Sequence, residues 1–257
     1  MTENATRTPR SIAITGASSG IGEALAREYA APGVTLMLSG RNLDRLSNVA
    51  DACRAEGATV EPARLDVTDR VATTDWLMEA DQRNPIDLVI ANAGISGGTS
   101  DKGEGELQTR RIFEINVTGV LNTVLPVIPP MQRRGHGQIA VMSSAASFRG
   151  MPGAPAYSAS KAAVRAYGEA LRGALAPSGI KVSVICPGFV RSRMTDANAF
   201  RMPLLMDADK AARIVRRGLA RNKARIAFPW PTYFAAWLMG TLPPGLTDPL
   251  FRTLPKK

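Results

Sequence analysis

The sequence SIAITGASSGIG, residues 11–22, decides the architecture expected of this chain. Ser11 to Thr15 is an apolar run typical of a buried strand, and a helical pattern follows the glycines and continues to Ala31. Glycines in such a loop let the backbone approach a pyrophosphate, which the helix N-terminus attracts. The loop lacks the Lys-Ser/Thr pair of a P-loop, so we do not expect ATP or GTP. A glycine turn that binds nothing remains the alternative.

Residues 16–20 also match G-x-S-x-G, the nucleophile elbow of α/β-hydrolases, with Ser18 as the nucleophile. Such an enzyme needs a histidine late in the chain and oxyanion donors from the loop of an earlier strand. The only histidine is His136, which lies between two glycines, and no strand is predicted before Ser11. We therefore reject the hydrolase and assign His136 to a surface turn.

Strand and helix patterns alternate along the rest of the chain without a repeat or linker. We predict further strands at 34–38, 59–65, 86–91, 138–143, 181–185 and 225–228. We predict helices at 41–56, from a Thr68 cap to 83, at 107–131 with proline bends, at 156–176 and at 208–220. This alternation predicts an α/β single-domain, Rossmann-like doubly wound parallel sheet of about seven strands with helices on both faces. The predicted divisions are a flexible N-terminus (1–10), a dinucleotide-binding and catalytic domain (11–228) and an apolar tail (229–257).

The composition limits the environment and partners of the protein. No apolar stretch reaches about 18 residues and the N-terminus lacks a signal segment, so we expect a cytoplasmic protein without a transmembrane helix. Cys53 and Cys186 lie in apolar patterns and are expected to be reduced and buried. The net charge of +10 is partly concentrated between Arg201 and Arg225. This basic face could bind anionic lipid or nothing, and without a nucleic-acid motif we expect no nucleic acid. No metal site is predicted.

The segment from Tyr157 to Lys161 carries the candidate chemistry. It lies in an Ala-, Leu- and Arg-rich run that predicts a helix, and residues four apart share one helical face. An ammonium beside a phenol lowers the pKa of the phenol, which makes Tyr157 a usable acid or base. Ser144 closes the strand predicted at 138–143, so these three side chains could meet at its carboxyl end. A solvated helix face is the alternative for the Tyr–Lys pair.

Together these motifs resemble those of the short-chain dehydrogenase/reductase family. The resemblance covers about Ser11 to Phe228, and the set is far more specific than any of its members. Its elements are TGASSGIG at 15–22, Asn92-Ala-Gly94, Asn116, Ser144, Tyr157-x-x-x-Lys161 and Pro187-Gly188.

The resemblance implies a catalytic set of Asn116, Ser144, Tyr157 and Lys161. Tyr157 would be the acid in reduction and the base in oxidation, while Lys161 would lower its pKa and hold the nicotinamide ribose. Ser144 would hydrogen-bond the substrate oxygen, and Asn116 would hold a water that relays protons. This agrees with the chemistry, because a carbonyl receiving hydride builds negative charge on its oxygen.

The resemblance also implies cofactor contacts. Asp66 and Val67 would contact adenine, residues 92–94 the adenosine ribose side, and Pro187 and its neighbours the nicotinamide amide. Ser192 stands where family members commonly have Thr, and Ala91 replaces a frequent Asn. The implied cofactor-binding residues are Gly16, Ser18, Ser19, Gly20, Ile21, Gly22, Arg41, Asp66, Val67, Asn92, Ala93, Gly94, Tyr157, Lys161, Pro187, Gly188, Val190 and Ser192.

The end of the second strand indicates which dinucleotide is preferred. An NAD enzyme usually has an acid there for the ribose 2′-hydroxyl, but this chain reads Ser39-Gly40-Arg41-Asn42. Arg41 can pair with a 2′-phosphate, so we predict NADP(H) over NAD(H). A surface arginine at a helix start is the alternative.

The substrate and partners are less specified. The loop after Gly188 is rich in Met, Phe and Leu, and Phe148 and Met151 flank Ser144, which favours a lipophilic carbonyl or alcohol. These residues could equally pack the loop onto its own domain.

Small residues along the helix at 156–176 favour a homodimer or homotetramer. The tail around Tyr233 and Trp237 could be a lid, a subunit contact or a peripheral contact with the inner membrane surface. A non-catalytic nucleotide-sensing or membrane-associated module is the other function considered.

Overall fold

A seven-stranded parallel sheet forms the centre of the computed structural model, which describes residues 8–96, 104–196 and 202–252. The strands are β1 (Ser11–Thr15), β2 (Thr35–Gly40), β3 (Thr59–Arg64), β4 (Leu88–Ala91), β5 (Gly137–Met142), β6 (Ile180–Pro187) and β7 (Arg225–Phe228). Their order across the sheet is β3-β2-β1-β4-β5-β6-β7. The order reverses between β1 and β4, which confirms the doubly wound sheet and marks its switch point.

Helices connect the strands and cover both faces of the sheet. They are α1 (Gly20–Tyr29), α2 (Leu43–Ala55), α3 (Arg70–Arg83), α4 (Glu106–Phe113), α5 (Gly119–Val124), α6 (Ile128–Arg134), α7 (Pro155–Leu175), α8 (Arg193–Asp196), α9 (Ala208–Ala220), α10 (Trp230–Thr241) and α11 (Pro244–Arg252). The predicted bounds of α9 and β7 are confirmed to the residue.

Two apolar cores fix the sheet between the helices. On one face α1, α2 and α9 pack against it through fully buried side chains such as Leu25 and Leu46. On the other face α3, α5 and α7 pack through Leu77, Val120 and Val164. Because strands covered on both sides must be apolar throughout, the central strands read as continuous hydrophobic runs in the sequence.

The helical run from Glu106 to Arg134 is less regular than predicted. A π-helical turn at Glu114–Thr118 separates α4 from α5, and a 3₁₀ turn at Leu125–Val127 precedes α6. By length and composition this run could cross a membrane, but half of its most apolar 18-residue stretch is buried inside the structure. Val124 and Met131 are fully buried against the sheet, so we assign the run to the core.

Two local predictions need correction. The helix after β3 is capped by Asp69, which accepts from the Ala72 N–H at 3.0 Å, and not by Thr68. The Thr68 hydroxyl instead donates to Asp66 at 2.9 Å, so its oxygen turns away from the helix. The second strand extends to Gly40, two residues beyond the prediction, because it pairs with β3 as far as Arg64. The predictions for the N-terminus through residue 7, Phe200, Arg201, Lys256 and Lys257 lie outside the described residues.

Candidate active site

The predicted site residues gather at the carboxyl edge of the sheet. Each group follows the end of a different strand, and parallel strands end at the same edge. The first residues of these groups are Gly16 after β1, Arg41 after β2, Asp66 after β3, Asn92 after β4, Ser144 after β5 and Gly188 after β6.

The glycine loop is braced against the end of β4. The Asn92 side-chain amide donates to the carbonyl oxygens of Thr15 and Gly16 at 3.0 and 3.1 Å. Gly16 has a φ of 67°, and a Cβ on Gly22 would collide with the Gly16 carbonyl oxygen. Glycine is therefore required here by backbone conformation and by space, and Asn92 has a bracing role that its sequence motif did not indicate.

The geometry of the loop fits a dinucleotide. Helix α1 begins at Gly20, and its N-cap residue Ser19 makes no side-chain capping bond. The first N–H groups of a helix lack intrahelical partners and attract phosphate oxygens. Two neighbouring segments close around the loop: a Cβ on Gly20 would lie 3.0 Å from Ser192, and a Cβ on Gly40 would lie 3.1 Å from Ser18. Gly40 immediately precedes Arg41, which is exposed beside the loop.

Tyr157 and Ser144 meet as predicted. A side-chain hydrogen bond joins them, and the Ser144 Oγ also accepts from the Ala146 N–H at 3.1 Å. Burial raises the pKa of Tyr157, and the hydrogen bond with Ser144 only partly lowers it again. Desolvation is the larger of these two influences, and the lowering of this pKa by Lys161 stays a prediction. Tyr157 is therefore a protonated phenol at neutral pH.

Lys161 lies beside Tyr157 but donates elsewhere. Its Nζ is 5.8 Å from the centre of the Tyr157 ring and donates to the Met142 carbonyl oxygen at 3.0 Å. Burial lowers the pKa of Lys161 to about 8, against a smaller opposing influence of Cys186. An ammonium with one carbonyl partner keeps two further donor positions, which ribose hydroxyls could occupy.

Asn116 is fully buried in the π-helical turn between α4 and α5. Its amide nitrogen donates to the Ile95 carbonyl oxygen at 2.9 Å and to the Ser160 Oγ at 3.0 Å, and its oxygen accepts from the Ile95 N–H at 2.8 Å. A Cβ on Gly94 would lie 3.1 Å from this oxygen and 3.2 Å from Lys161 Nζ. Asn116 and Lys161 thus line one small space that Gly94 keeps open.

Asp66 lies at the end of the site predicted for adenine. Its carboxylate accepts from the Thr68 N–H at 3.0 Å and from the Arg111 guanidinium at 2.8 Å. Although burial acts to raise it, these hydrogen bonds and the Arg111 charge lower the pKa of Asp66. Arg111 was not predicted, and no signal in its helical context pointed to it, because it reaches Asp66 across 45 residues of sequence. Within the described ranges, no cluster of His, Cys, Asp or Glu is placed to hold a metal ion.

Glu104 is a second residue that sequence reasoning missed. Its carboxylate accepts from the backbone N–H groups of Ala156 and Tyr157 at 2.5 and 3.2 Å. Helix α7 begins with Pro155 and has no side-chain cap from its own N-cap residue, Ala154. A carboxylate in contact with a helix N-terminus compensates the unpaired N–H groups and the helix dipole. Glu104 therefore fixes the first turn of α7, which carries Tyr157.

Phe148, predicted to flank the Ser144 side of the site, also packs against residues of α7, β7 and α10. Its ring lies between the guanidinium groups of Arg165 and Arg225, at 4.7 and 5.1 Å, and Tyr233 packs edge-on at 5.4 Å. The ring is therefore a packing element between α7, β7 and α10. Of the apolar residues predicted around the substrate, Met194 and Leu204 remain exposed in the loop after β6.

Comparison with known proteins agrees with this geometry. The sequence model of the family described as short chain dehydrogenase matches residues 10–201. The chain belongs to the short-chain dehydrogenase family. An oxidoreductase from Myxococcus xanthus without an assigned substrate is 40% identical over 246 residues, which cover 95% of this chain and 97% of that protein. The resemblance inferred from the motifs is confirmed.

Solved structures of other short-chain dehydrogenases share the fold. The enzyme from Sphingobium yanoikuyae in complex with NADPH matches with a TM-score of 0.79 at 26% identity, and the match covers 96% of each chain. The enzyme from Burkholderia phymatum in complex with NAD has a TM-score of 0.80 at 25% identity and covers 94% of both chains. The protein is accordingly an NAD(P)-dependent oxidoreductase, and these neighbours include both dinucleotides.

Proposed function

We propose that this short-chain dehydrogenase interconverts a lipophilic carbonyl and a secondary alcohol with NADP(H), and that Asn116, Ser144, Tyr157 and Lys161 form its catalytic set. The supporting observation is the hydrogen bond between Ser144 and Tyr157, with Lys161 Nζ 5.8 Å from the Tyr157 ring. The bound nicotinamide would supply or accept the hydride. Gly16, Ser18, Ser19, Gly20, Ile21 and Gly22 would hold its pyrophosphate at the N-terminus of α1.

Each member of the set has a chemical task in this proposal. The raised pKa of Tyr157 keeps its proton available for transfer to an oxygen that gains negative charge. Ser144 would donate to the same oxygen and orient it toward the phenol. Lys161 would hold the ribose, and Asn116 would help to arrange the water beside the space at Gly94.

The deciding experiment follows NADPH oxidation against a panel of ketones and aldehydes. We expect Tyr157→Phe to lose turnover by roughly 10²- to 10⁴-fold, the usual contribution of a positioned acid, while NADPH still binds. Tyr167→Phe is the matched control, because it removes a hydroxyl from the same helix at a side chain packed against the core. Tight NADPH binding in every protein without turnover on any carbonyl would instead favour a nucleotide-sensing module.

The preference for NADP(H) is supported by the charges at the end of β2. Arg41 is exposed and forms no ion pair with another described residue. Arg64 is also exposed, and it is the register partner of Gly40. A Cβ on Gly40 would lie 3.1 Å from Ser18, so this strand end is close to the glycine loop. Two guanidinium groups and a hydroxyl at one edge suit a 2′-phosphate.

Arg41→Asp tests this preference against Arg45→Asp, which makes the same charge change at an exposed position in the first turn of α2. We expect Arg41→Asp to raise the KM for NADPH at least tenfold more than the KM for NADH, since it removes a charge-assisted contact. Equal changes for both dinucleotides, or equal effects of the two substitutions, would refute the assignment.

Association into a homodimer or homotetramer is proposed from the outer face of α7. Ala159, Ala163 and Ala166 are exposed along it and would let a second helix approach closely. Light scattering after size-exclusion chromatography should give a multiple of the 27.4 kDa chain mass. Ala163→Glu should lower that mass, and an unchanged oligomer would exclude this face as the contact.

A further inference from the structure

Helix α10 is apolar on all sides and yet none of its residues is buried. Its sequence, Trp230–Thr241, contains no charged residue. A helix that is hydrophobic all round is normally covered by a protein core or by lipid. In this chain one side of α10 is covered by the neighbouring protein and the other side faces outward.

The outward side carries a row of aromatic rings. Trp230 stacks on Phe234 with ring centres 5.2 Å apart, and Phe234 lies 6.0 Å from Trp237. These side chains are 67%, 43% and 41% exposed. Half of the exposed large hydrophobic side chains of the described residues lie in this part of the chain. They are Trp230, Phe234, Trp237, Leu238, Leu242, Leu246 and Leu250.

The inward side holds α10 in a fixed orientation. Tyr233 packs on Phe148, and its hydroxyl accepts from Arg225 at 3.2 Å. Gly240 lies so close to the Phe148 backbone that a Cβ would collide with the carbonyl oxygen. Helix α11 is tied to the same segment, since Arg149 donates to Asp248 at 2.6 Å. The aromatic row is therefore presented outward by the fold.

Helix α10 borders the candidate active site. Near its start, Thr232 lies 3.3 Å from the position of a Cβ on Gly188, in the loop that follows β6. Near its end, Gly240 contacts Phe148, in the loop that follows β5 and contains Ser144. Helix α10 thus contacts the loop after β6 near its start and the loop that contains Ser144 near its end.

We propose that α10 and α11 dock this face on an anionic lipid bilayer. An anionic surface attracts a chain of net charge +10, and this attraction would add to the burial of the apolar face. Both the arginine-rich α9 and the apolar α10 contact β7, the edge strand of the sheet. At roughly 1.5 Å per residue α10 would measure about 18 Å, which suits an interfacial helix and not a spanning one. Tryptophan is favoured at the membrane interface.

The membrane face also gives the proposed reaction a route for its substrate. A lipophilic carbonyl dissolved in the bilayer would enter beside α10 without crossing water. This route rests on the proposed function, but the docking does not, because it depends only on the exposed face and the charge of the chain.

Docking is tested by sedimentation of the full chain with vesicles of equimolar phosphatidylglycerol and phosphatidylcholine, against vesicles of phosphatidylcholine alone. We expect binding to the anionic vesicles that weakens as salt is added, with a blue shift of tryptophan fluorescence, since two of the three tryptophans lie in α10. The double variant Phe234→Glu with Trp237→Glu should lose at least tenfold in partitioning. Val71→Glu with Leu125→Glu is the matched control, because it places the same charges on exposed apolar positions elsewhere.

Three results would overturn the proposal. The wild type could fail to bind anionic vesicles, or both double variants could bind as it does, which would place the contact outside α10. Alternatively, the wild type could form an oligomer without binding vesicles, and the tail variant could dissociate that oligomer in light scattering. The face would then be a contact between copies. Repeating the sedimentation with Tyr157→Phe separates docking from catalysis, because docking should persist when turnover is absent.

Discussion

Helices α7 and α10 border the same edge of the sheet but are held in opposite ways. In the site half of α7, Ala156, Ser158, Ser160 and Lys161 are buried, and its polar groups are bonded by residues from β5, the π-helical turn and the segment before α4. Helix α10 has no buried residue and is held by Tyr233, Gly240 and the start of the helix beside Gly188. The difference indicates that α7 is built to fix the geometry of reacting groups, whereas α10 is built to present a surface.

The largest effect is expected from Gly22→Ala, in the first turn of α1 beside the glycine loop. A Cβ there would collide with the Gly16 carbonyl oxygen and approach the Asn92 amide. The loop would have to move by about 1 Å, and we expect kcat/KM for NADPH to fall about 10²-fold, as for other misplacements of that size. Gly173→Ala is the control, because a Cβ there meets nothing and should stabilise α7 by about 0.5–1 kcal/mol. Full activity of Gly22→Ala would show that the loop is not rigid.

Lys161→Met should separate function from stability within α7. Turnover should fall by roughly 10²-fold or more, in line with the loss of a group that supports acid–base catalysis. The variant should nevertheless unfold at a higher urea concentration at pH 7, because burying the ammonium of Lys161 costs up to about 3 kcal/mol. The lost hydrogen bond to Met142 will reduce this gain.

The pH dependence of that gain follows from the lowered pKa. Between pH 8 and 10.5 the unfolded chain keeps the Lys161 proton while the folded chain has lost it. Wild-type stability therefore rises relative to Lys161→Met across this window, and below it the full deficit remains. Urea unfolding of both proteins at pH 7 and pH 10.5 measures the effect. A difference that does not change with pH would contradict it.

Glu104→Ala should have an intermediate effect, because Glu104 positions Tyr157 without touching the reacting atoms. Loss of a helix cap costs about 1 kcal/mol, and we expect kcat to fall several-fold while the KM for NADPH changes little. Glu104→Gln keeps one acceptor oxygen and should recover most of the loss. Steady-state kinetics below the unfolding temperature measure both variants in the folded state. An unchanged kcat in both would show that the role of Glu104 is confined to stability.

Gly240→Ala should have the smallest effect on the folded core. The added Cβ would push the end of α10 away from Phe148, but few buried contacts depend on that end. We expect a change in unfolding free energy of less than about 1 kcal/mol, together with faster proteolysis within the tail. A much larger loss of unfolding free energy would show that the end of α10 is integral to the fold, and would remove the contrast between the two helices.

Short-range patterns in the sequence determined most of the fold. The bounds of α9 and β7 were predicted to the residue, because each is a single run of one periodicity that ends at clear breaks. The glycines of the first loop indicated its conformation, since a φ of 67° at Gly16 is open to few other residues. The site residues after successive strands could be placed at one edge because parallel strands share their direction.

The tertiary structure decided the polar partnerships. Thr68 and Asp69 are both good caps, and only the contact of Thr68 with Asp66 assigns the cap to Asp69. Glu104 reaches α7 across 52 residues of sequence, and no local pattern encodes such a contact. The raised pKa of Tyr157 also depends on tertiary structure, because burial is set by the whole surrounding packing and outweighs the hydrogen bond with Ser144. Sequence periodicity specifies elements and their faces, whereas hydrogen bonds and desolvation depend on which distant groups the packed elements bring together.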